Sequence, residues 1–378
     1  MIIPPMRQNA KRTLYVRLAR RCRVCYNAVV ARTRLPLALR LSLNLIGAAY
    51  MAAWPIIGHE WAVGLLQKAI ARGRLSHAYL FIGPAQVGKT TLARAFAQAL
   101  LCEQQPAGPC GVCRVCQRIA QGRFPDLQLI VAEKNTIQID QVRALQTDAA
   151  LSPLEGRYRV FIIREIERAT LPAANALLKS LEEPPPQVIL LLTATRRDQV
   201  LPTILSRCQL MSLRPLPLEQ TRSALETRWG VEPERAALLA RLSAGRLGWA
   251  IAAHTNPDLW QARASQLDRL LALTAEGYVE RLRYAEKLSR QEDGPELTLG
   301  LWAAWWRDVL LIQRGAADAV INLDRRAQLA QQAALYPPEQ VERALTDLLR
   351  TLRRLRANVN VRLALDVLML RLPRPAVA

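Results

Sequence analysis

The fold is decided by the stretch AYLFIGPAQVGKT, residues 78–90. Its first five residues are apolar and predict a strand that is buried on both faces. The next eight, GPAQVGKT, fit the pattern G-x-x-x-x-G-K-T, and residues 91–101 continue with a helical pattern. A glycine-containing loop between a buried strand and a helix is the context in which this pattern binds phosphate.

The loop itself supplies the chemistry of a phosphate site. Gly83 and Gly88 let the backbone curl so that successive N–H groups point at phosphate oxygens, and the helix that follows adds its dipole. Lys89 is expected to reach the terminal phosphates and Thr90 to offer a hydroxyl to Mg²⁺. The alternative is a chance turn. The pattern predicts nucleotide binding, whereas hydrolysis is a separate question.

Further elements extend outward from this loop. Helical patterns cover residues 61–71 and 171–181, and buried strands are predicted at 160–163 and 188–193. Strands that alternate with helices indicate an α/β fold with a parallel sheet. After Pro217 the pattern is entirely helical, and its aromatic residues are expected to face a core: Trp302, Trp305 and Trp306.

Four cysteines follow the loop's helix with the spacing C-x7-C-x2-C-x2-C: Cys102, Cys110, Cys113 and Cys116. Disulfides are rare in intracellular nucleotide-binding proteins, so four close thiols predict a tetrahedral structural zinc site. Four thiolates leave no open position for a catalytic water. The alternative is four unligated buried cysteines. The earlier pair Cys22 and Cys25 has no second pair nearby and is given no metal role.

Charge is distributed unevenly along the 378 residues. The formal net charge is +21, and residues 1–50 contain ten basic and no acidic side chains. We interpret this segment as a start site assigned too far upstream, or as disordered chain, since domain-like patterning begins at Met51. A basic arm that contacts DNA is the alternative. Residues 51–378 still carry +11, which favours contact with a polyanion or reflects an arginine-rich composition.

No membrane span is predicted. The most apolar stretch, residues 41–57, is short and is interrupted by Asn44 and Pro55. Together with the cysteine usage, this favours a cytoplasmic protein.

Several motifs together resemble bacterial DNA polymerase III clamp-loader subunits. They are the phosphate loop, the cysteine knuckle after its helix, HAYLF at 77–81, NALLKSLEEPP at 175–185, SRC at 206–208 and NVNVRLAL at 358–365. The resemblance spans about residues 56–372. It implies an AAA+-type ATPase domain at 51–215 with a zinc knuckle at 102–116, then a helical lid at 216–267 and a helical collar at 268–373.

The same resemblance implies partners and a task. The collar of this family assembles a hetero-pentameric ring with the other clamp-loader subunits. The assembly uses ATP to open a sliding clamp and to place it on primed DNA. In this family the arginine of the SRC triplet, here Arg207, reaches the nucleotide site of the neighbouring subunit as an arginine finger. A guanidinium there stabilises charge in the transition state. The alternative is an ordinary surface arginine.

Two departures from the family's ATP-hydrolysing motor favour the stator, or delta-prime, type of subunit. The metal-binding aspartate after the second core strand is replaced by Arg164, which leaves Glu165 as a vestigial base without a well-held Mg²⁺. Gly248 occupies the place of the motor's lid arginine, and Arg246 is two residues away. ATP is expected to bind with little turnover. An active motor subunit remains the alternative, and a free-standing nucleic-acid-binding zinc protein is a more distant one.

The sequence leaves the role of two threonines undecided. Thr193 and Thr195 end the strand at 188–193, where the family places a polar residue that senses nucleotide. They serve equally well as caps at the strand end.

Overall fold

The computed structural model describes part of the chain, namely residues 54–104, 108–291, 294–357 and 359–375. The expectations for residues 1–50, including Cys22 and Cys25, lie outside the described residues.

Two compact units make up the described chain. The first contains the described residues up to Ile82 together with Lys89–Ser212, and the second contains Gly83–Gly88 and the described residues from Leu213 onward.

The first unit is built on a five-stranded sheet. Its strands are β1 (Ala78–Ile82), β2 (Leu127–Ile130), β3 (Arg159–Ile163), β4 (Val188–Ala194) and β5 (Gln209–Ser212). All neighbouring pairs are parallel, in the order β2-β3-β4-β1-β5. Every residue of β1, β3 and β4 is buried, which confirms the three strands predicted from apolar runs. The edge strands β2 and β5 were not predicted.

The described part of the first unit also contains six α-helices: α1 (Glu60–Ala71), α2 (Lys89–Leu101), α3 (Arg114–Ala120), α4 (Ile139–Ala149), α5 (Leu171–Glu182) and α6 (Pro202–Leu205). The ends of α5 follow from its sequence. The side chain of Thr170 accepts a hydrogen bond from Ala173 N–H at the start. At the end, Pro184 disfavours helical dihedrals at Glu183, which has φ −121° and ψ 71°.

The second unit is helical beyond the loop at Gly83–Gly88. Its helices are α7 (Leu218–Trp229), α8 (Pro233–Ser243), α9 (Leu247–Thr255), α10 (Pro257–Ala275), α11 (Tyr278–Ser289), α12 (Gly294–Gln313), α13 (Arg326–Leu335), α14 (Pro338–Arg356) and α15 (Val361–Arg371). The three tryptophans of α12 are fully buried in one apolar cluster, as predicted. None of the described helices is long and apolar enough to cross a bilayer.

The boundary predicted between lid and collar, at residues 267 and 268, falls inside the continuous helix α10. Both predicted domains belong to the second compact unit. Their separation therefore stays a prediction.

Candidate functional site

The phosphate loop joins β1 to α2, and α2 begins at Lys89. Gly83 has no room for a side chain, since a Cβ there would lie 2.3 Å from the carbonyl oxygen of Leu213. Gly88 has φ +105°, which favours glycine. Lys89 and Thr90 form the first turn of α2, the end at which a helix dipole favours an anion. This is the local geometry that the motif requires for a phosphate.

Lys89 lies in a largely buried position, with 7% of its surface exposed. Burial lowers the pKa of its amine, and the carboxylates of Glu167 and Glu165 oppose that shift, while Arg164 adds to it. The amine therefore already interacts with carboxylates of its own chain.

The segment after β3 holds Glu165 in place. Glu165 has φ +53°, which turns the chain so that its N–H donates to Thr193 Oγ1 at 3.0 Å. Its carboxylate pairs with Arg168, with Oε2 2.7 Å from Nε, and lies 4.0 Å from Nη2 of Arg164. A carboxylate that is paired with arginines is a weaker ligand for Mg²⁺ and a weaker base. The structure therefore places Glu165 near Lys89 without leaving its carboxylate unpaired.

Glu167 is a functional candidate that the sequence did not single out. It lies in a 3₁₀ turn beyond the end of β3, yet its Oε1 accepts hydrogen bonds from Thr195 N–H and Thr195 Oγ1, at 2.8 and 2.5 Å. Its Oε2 is buried with no hydrogen-bond partner among the described residues. The hydroxyls of Thr193 and Thr195 thus both bond to the segment after β3.

Gly248 lies against the phosphate loop within the second unit. Its N–H donates to the carbonyl oxygen of Gln86 at 3.0 Å, and a Cβ at Gly248 would lie 2.7 Å from that oxygen. Close approach of the two backbones thus requires glycine. Arg246 precedes α9 instead of lying on it, and its Nε donates to the carbonyl oxygen of Ser243 at 2.9 Å.

Arg207 follows the short helix α6 at a corner of the first unit. Its Nη2 lies 2.6 Å from Oε1 of Glu182, the last residue of α5. Its Nη1 donates to the carbonyl oxygen of Thr203 at 2.9 Å and to Ser206 Oγ at 3.2 Å. The Arg207 side chain is 34% exposed and that of Glu182 is 50% exposed. The guanidinium is thus held by its own chain while it stays accessible to solvent.

The backbone around Arg207 is held in place by neighbouring residues that pack in the core. Ile204, one turn before Arg207, is buried in the apolar cluster of the sheet. Cys208 is half-buried, and burial raises the pKa of its thiol to about 12. The thiol therefore stays protonated at neutral pH, and the SRC triplet presents Arg207 as its charged group.

The four cysteines come together as their spacing predicts. The sulfur atoms of Cys102, Cys110, Cys113 and Cys116 lie within 4.8 Å of one another. Backbone N–H groups point at two of the sulfurs, from Cys113 to Cys110 Sγ and from Cys116 to Cys113 Sγ, both at 3.3 Å. The cluster also touches the loop's helix, since Gln98 of α2 donates to the carbonyl oxygen of Cys116 at 3.0 Å.

Four convergent thiols fit a metal ion well. The hydrogen-bonded thiol of Cys102, together with burial, raises the pKa of Cys116, and burial raises the pKa of Cys110. A cation among the sulfurs reverses this preference, because it stabilises thiolates. The cluster can therefore bind a metal such as zinc.

Comparison with known proteins identifies the family. Two family models match, both described as DNA polymerase III, delta subunit: one over residues 58–217 and a C-terminal one over residues 257–373. The chain is 32% identical over 315 residues to DNA polymerase III subunit delta' of Bacillus subtilis, a match that covers 82% of this chain and 94% of that protein.

One further relative matches over a shorter stretch, and one solved structure matches at low sequence identity. The chain is 41% identical over 198 residues to DNA polymerase III subunit tau of Escherichia coli, which covers 51% of this chain but only 31% of that protein. A solved structure of the DNA clamp loader delta protein of B. subtilis is 16% identical, with coverage of 82% and 99%, but its TM-score of 0.31 is too low to support an argument. On the family models and the delta' match, the chain belongs to the DNA polymerase III delta-subunit family.

Proposed function

We propose that this chain is a delta-prime subunit of a bacterial DNA polymerase III clamp loader. It joins the other clamp-loader subunits in a hetero-pentameric ring, and that assembly loads the sliding clamp onto primed DNA with ATP. The match to B. subtilis delta', which extends over 94% of that protein, supports this assignment. We place the protein in the cytoplasm, where DNA replication takes place.

Its contribution to catalysis is an arginine finger. One observation carries this proposal: Arg207 is anchored by the buried Ile204 behind it, while its guanidinium is partly exposed and already oriented by hydrogen bonds. A preoriented guanidinium that reaches a neighbouring subunit's ATP stabilises the charge of the transferring phosphoryl group.

The chain's own nucleotide loop has a different role. ATP binds at the loop through Gly83, Gly88, Lys89 and Thr90 with little or no turnover. Support comes from the carboxylates of Glu167 and Glu165, which interact electrostatically with the Lys89 amine, and from the pairing of Glu165 with Arg168. A carboxylate engaged in this way does not hold Mg²⁺ or polarise water effectively.

An active motor subunit of the same assembly is the second candidate. Within the described residues, Oε2 of Glu167 is buried and has no hydrogen-bond partner, which favours the motor because a carboxylate oxygen can coordinate a metal cation. The tau match favours it also, since it covers half of this chain. If the isolated protein hydrolyses ATP and the Lys89→Ala variant does not, the chain is a motor subunit.

The cysteine cluster holds a structural zinc ion. Four thiolate ligands complete a tetrahedral shell, so zinc supplies a cross-link here and no catalytic water. The bond from Gln98 to Cys116 ties that cross-link to α2. We expect about one zinc per purified chain; a metal analysis that finds none would remove the zinc from the proposal.

The experiment that tests the arginine finger is steady-state ATP hydrolysis by the reconstituted clamp loader carrying Arg207→Ala. We expect turnover at the facing site to fall by about a hundredfold or more while the complex still assembles. The matched control is Arg197→Ala, an exposed arginine of the same unit. Equal turnover in wild type and Arg207→Ala complexes would remove Arg207 from catalysis.

A further inference from the structure

We infer that Glu182 is a positioning residue for Arg207, which holds the guanidinium in the orientation that a neighbouring subunit's phosphate requires. This inference rests on the proposed arginine finger and extends it to a second residue. Glu182 ends α5, and Arg207 follows α6, so the contact joins two separate helices of the first unit.

The guanidinium has donors left for a ligand after these contacts. Arginine carries five N–H groups. Glu182 Oε1 takes one from Nη2, and the Thr203 carbonyl and Ser206 Oγ take the two of Nη1. Within the described residues this leaves two donors, on Nε and Nη2, for oxygens of a phosphate. Glu182 therefore restrains Arg207 without occupying all of its binding capacity.

The end of α5 also favours the cation Arg207. The C-terminal end of α5 carries partial negative charge, and Glu182 adds a full negative charge there. Both attract the guanidinium toward this corner and away from other rotamers. Thr203 and Ser206 bond only to Nη1, so Glu182 is the group that fixes the Nη2 side.

The solvent exposure of Glu182 and Arg207 determines how strongly Glu182 restrains the guanidinium. An ion pair with half-exposed partners is weak, so Glu182 does not hold Arg207 back from a phosphate. It does reduce the number of side-chain conformations that must be lost when the phosphate arrives. Because orientation matters most in the transition state, the effect is expected on kcat and not on the KM for ATP.

The test uses the reconstituted clamp loader with the full-length chain. We expect Glu182→Gln to lower kcat for ATP about two- to fivefold, with KM unchanged, because glutamine keeps the shape but loses the charge. The matched control is Glu183→Gln, which removes an adjacent exposed carboxylate that makes no contact with Arg207. In an Arg207→Ala complex, Glu182→Gln is expected to cause no further loss.

Three results would count against the inference, and they are distinguishable. If Arg207→Ala lowers turnover and Glu182→Gln does not, Glu182 has no positioning role while the arginine finger stands. If Glu182→Gln lowers kcat equally with and without Arg207, it acts by another route. If Arg207→Ala itself has no effect, the proposed function fails and the inference fails with it.

Discussion

Lys89 and Arg207, the two cations of the first unit that sequence reasoning selected, have opposite surroundings. Lys89 is 7% exposed; burial lowers the pKa of its amine, and carboxylates of the same chain oppose that shift only in part. Arg207 is one-third exposed and is held by groups that leave two of its donors for a ligand. Lys89 thus interacts with groups of its own chain, whereas Arg207 keeps N–H donors that an oxygen ligand can accept from.

Apart from that of Arg207→Ala, the largest expected effect comes from disrupting the cysteine cluster, which contacts the helix that begins at Lys89. Cys116→Ser should weaken metal binding and loosen α2, because the carbonyl of Cys116 accepts a bond from Gln98. We expect amide hydrogen exchange in α2 to become at least about tenfold faster, while α6 beside Arg207 keeps its protection.

The matched control for that experiment is Cys208→Ser, which alters a cysteine outside the cluster. If Cys116→Ser leaves amide hydrogen exchange in α2 unchanged, the cysteine cluster does not stabilise that helix.

The next effect concerns Gly248, whose backbone approaches that of Gln86 in the phosphate loop. Gly248→Ala places a Cβ 2.7 Å from Gln86 O, so we expect a loss of about 1–3 kcal/mol in the free energy of unfolding, measured by denaturant titration. Gly300→Ala is the control, because a Cβ there meets nothing within 4 Å and alanine favours the helix. Equal stability of the two variants would contradict the close approach at Gly248.

The smallest expected effect is on the charge of Lys89. Glu167 raises the pKa of the Lys89 amine, so Glu167→Gln should lower that pKa further in the direction that burial already moves it. The neutral amine is then favoured at lower pH, and Lys89 should react with an acylating reagent at lower pH than in the wild type. An unchanged pH profile of labelling would show that Glu167 does not act on Lys89. Glu183→Gln serves as the control.

Much of the fold could be predicted because its signals are local. Three strands are continuous apolar runs, and the cysteine cluster follows from spacing alone. The edge strands β2 and β5 were missed because each has four residues and is only partly buried, which leaves a short and mixed pattern.

The contacts that distinguish the two cations could not be predicted. The hydrogen bonds from Thr195 to Glu167 form in a segment that begins with the positive φ of Glu165, and nothing in the sequence specifies that dihedral angle. The pairing of Glu182 with Arg207 joins residues on two helices whose relative placement is set by packing on the sheet. Likewise, the sequence indicated only that Gly248 stands where an arginine was expected. The structure adds a second reason for glycine there, because a side chain would collide with the backbone of Gln86.

The contrast between the two cations is tested most directly by one comparison in the reconstituted clamp loader. Steady-state ATP hydrolysis is measured for complexes in which this subunit carries Lys89→Ala or Arg207→Ala. We expect the Lys89→Ala complex to retain wild-type turnover and the Arg207→Ala complex to lose turnover at the facing site. Loss of turnover in Lys89→Ala with none in Arg207→Ala would contradict the stator and identify this chain as a motor.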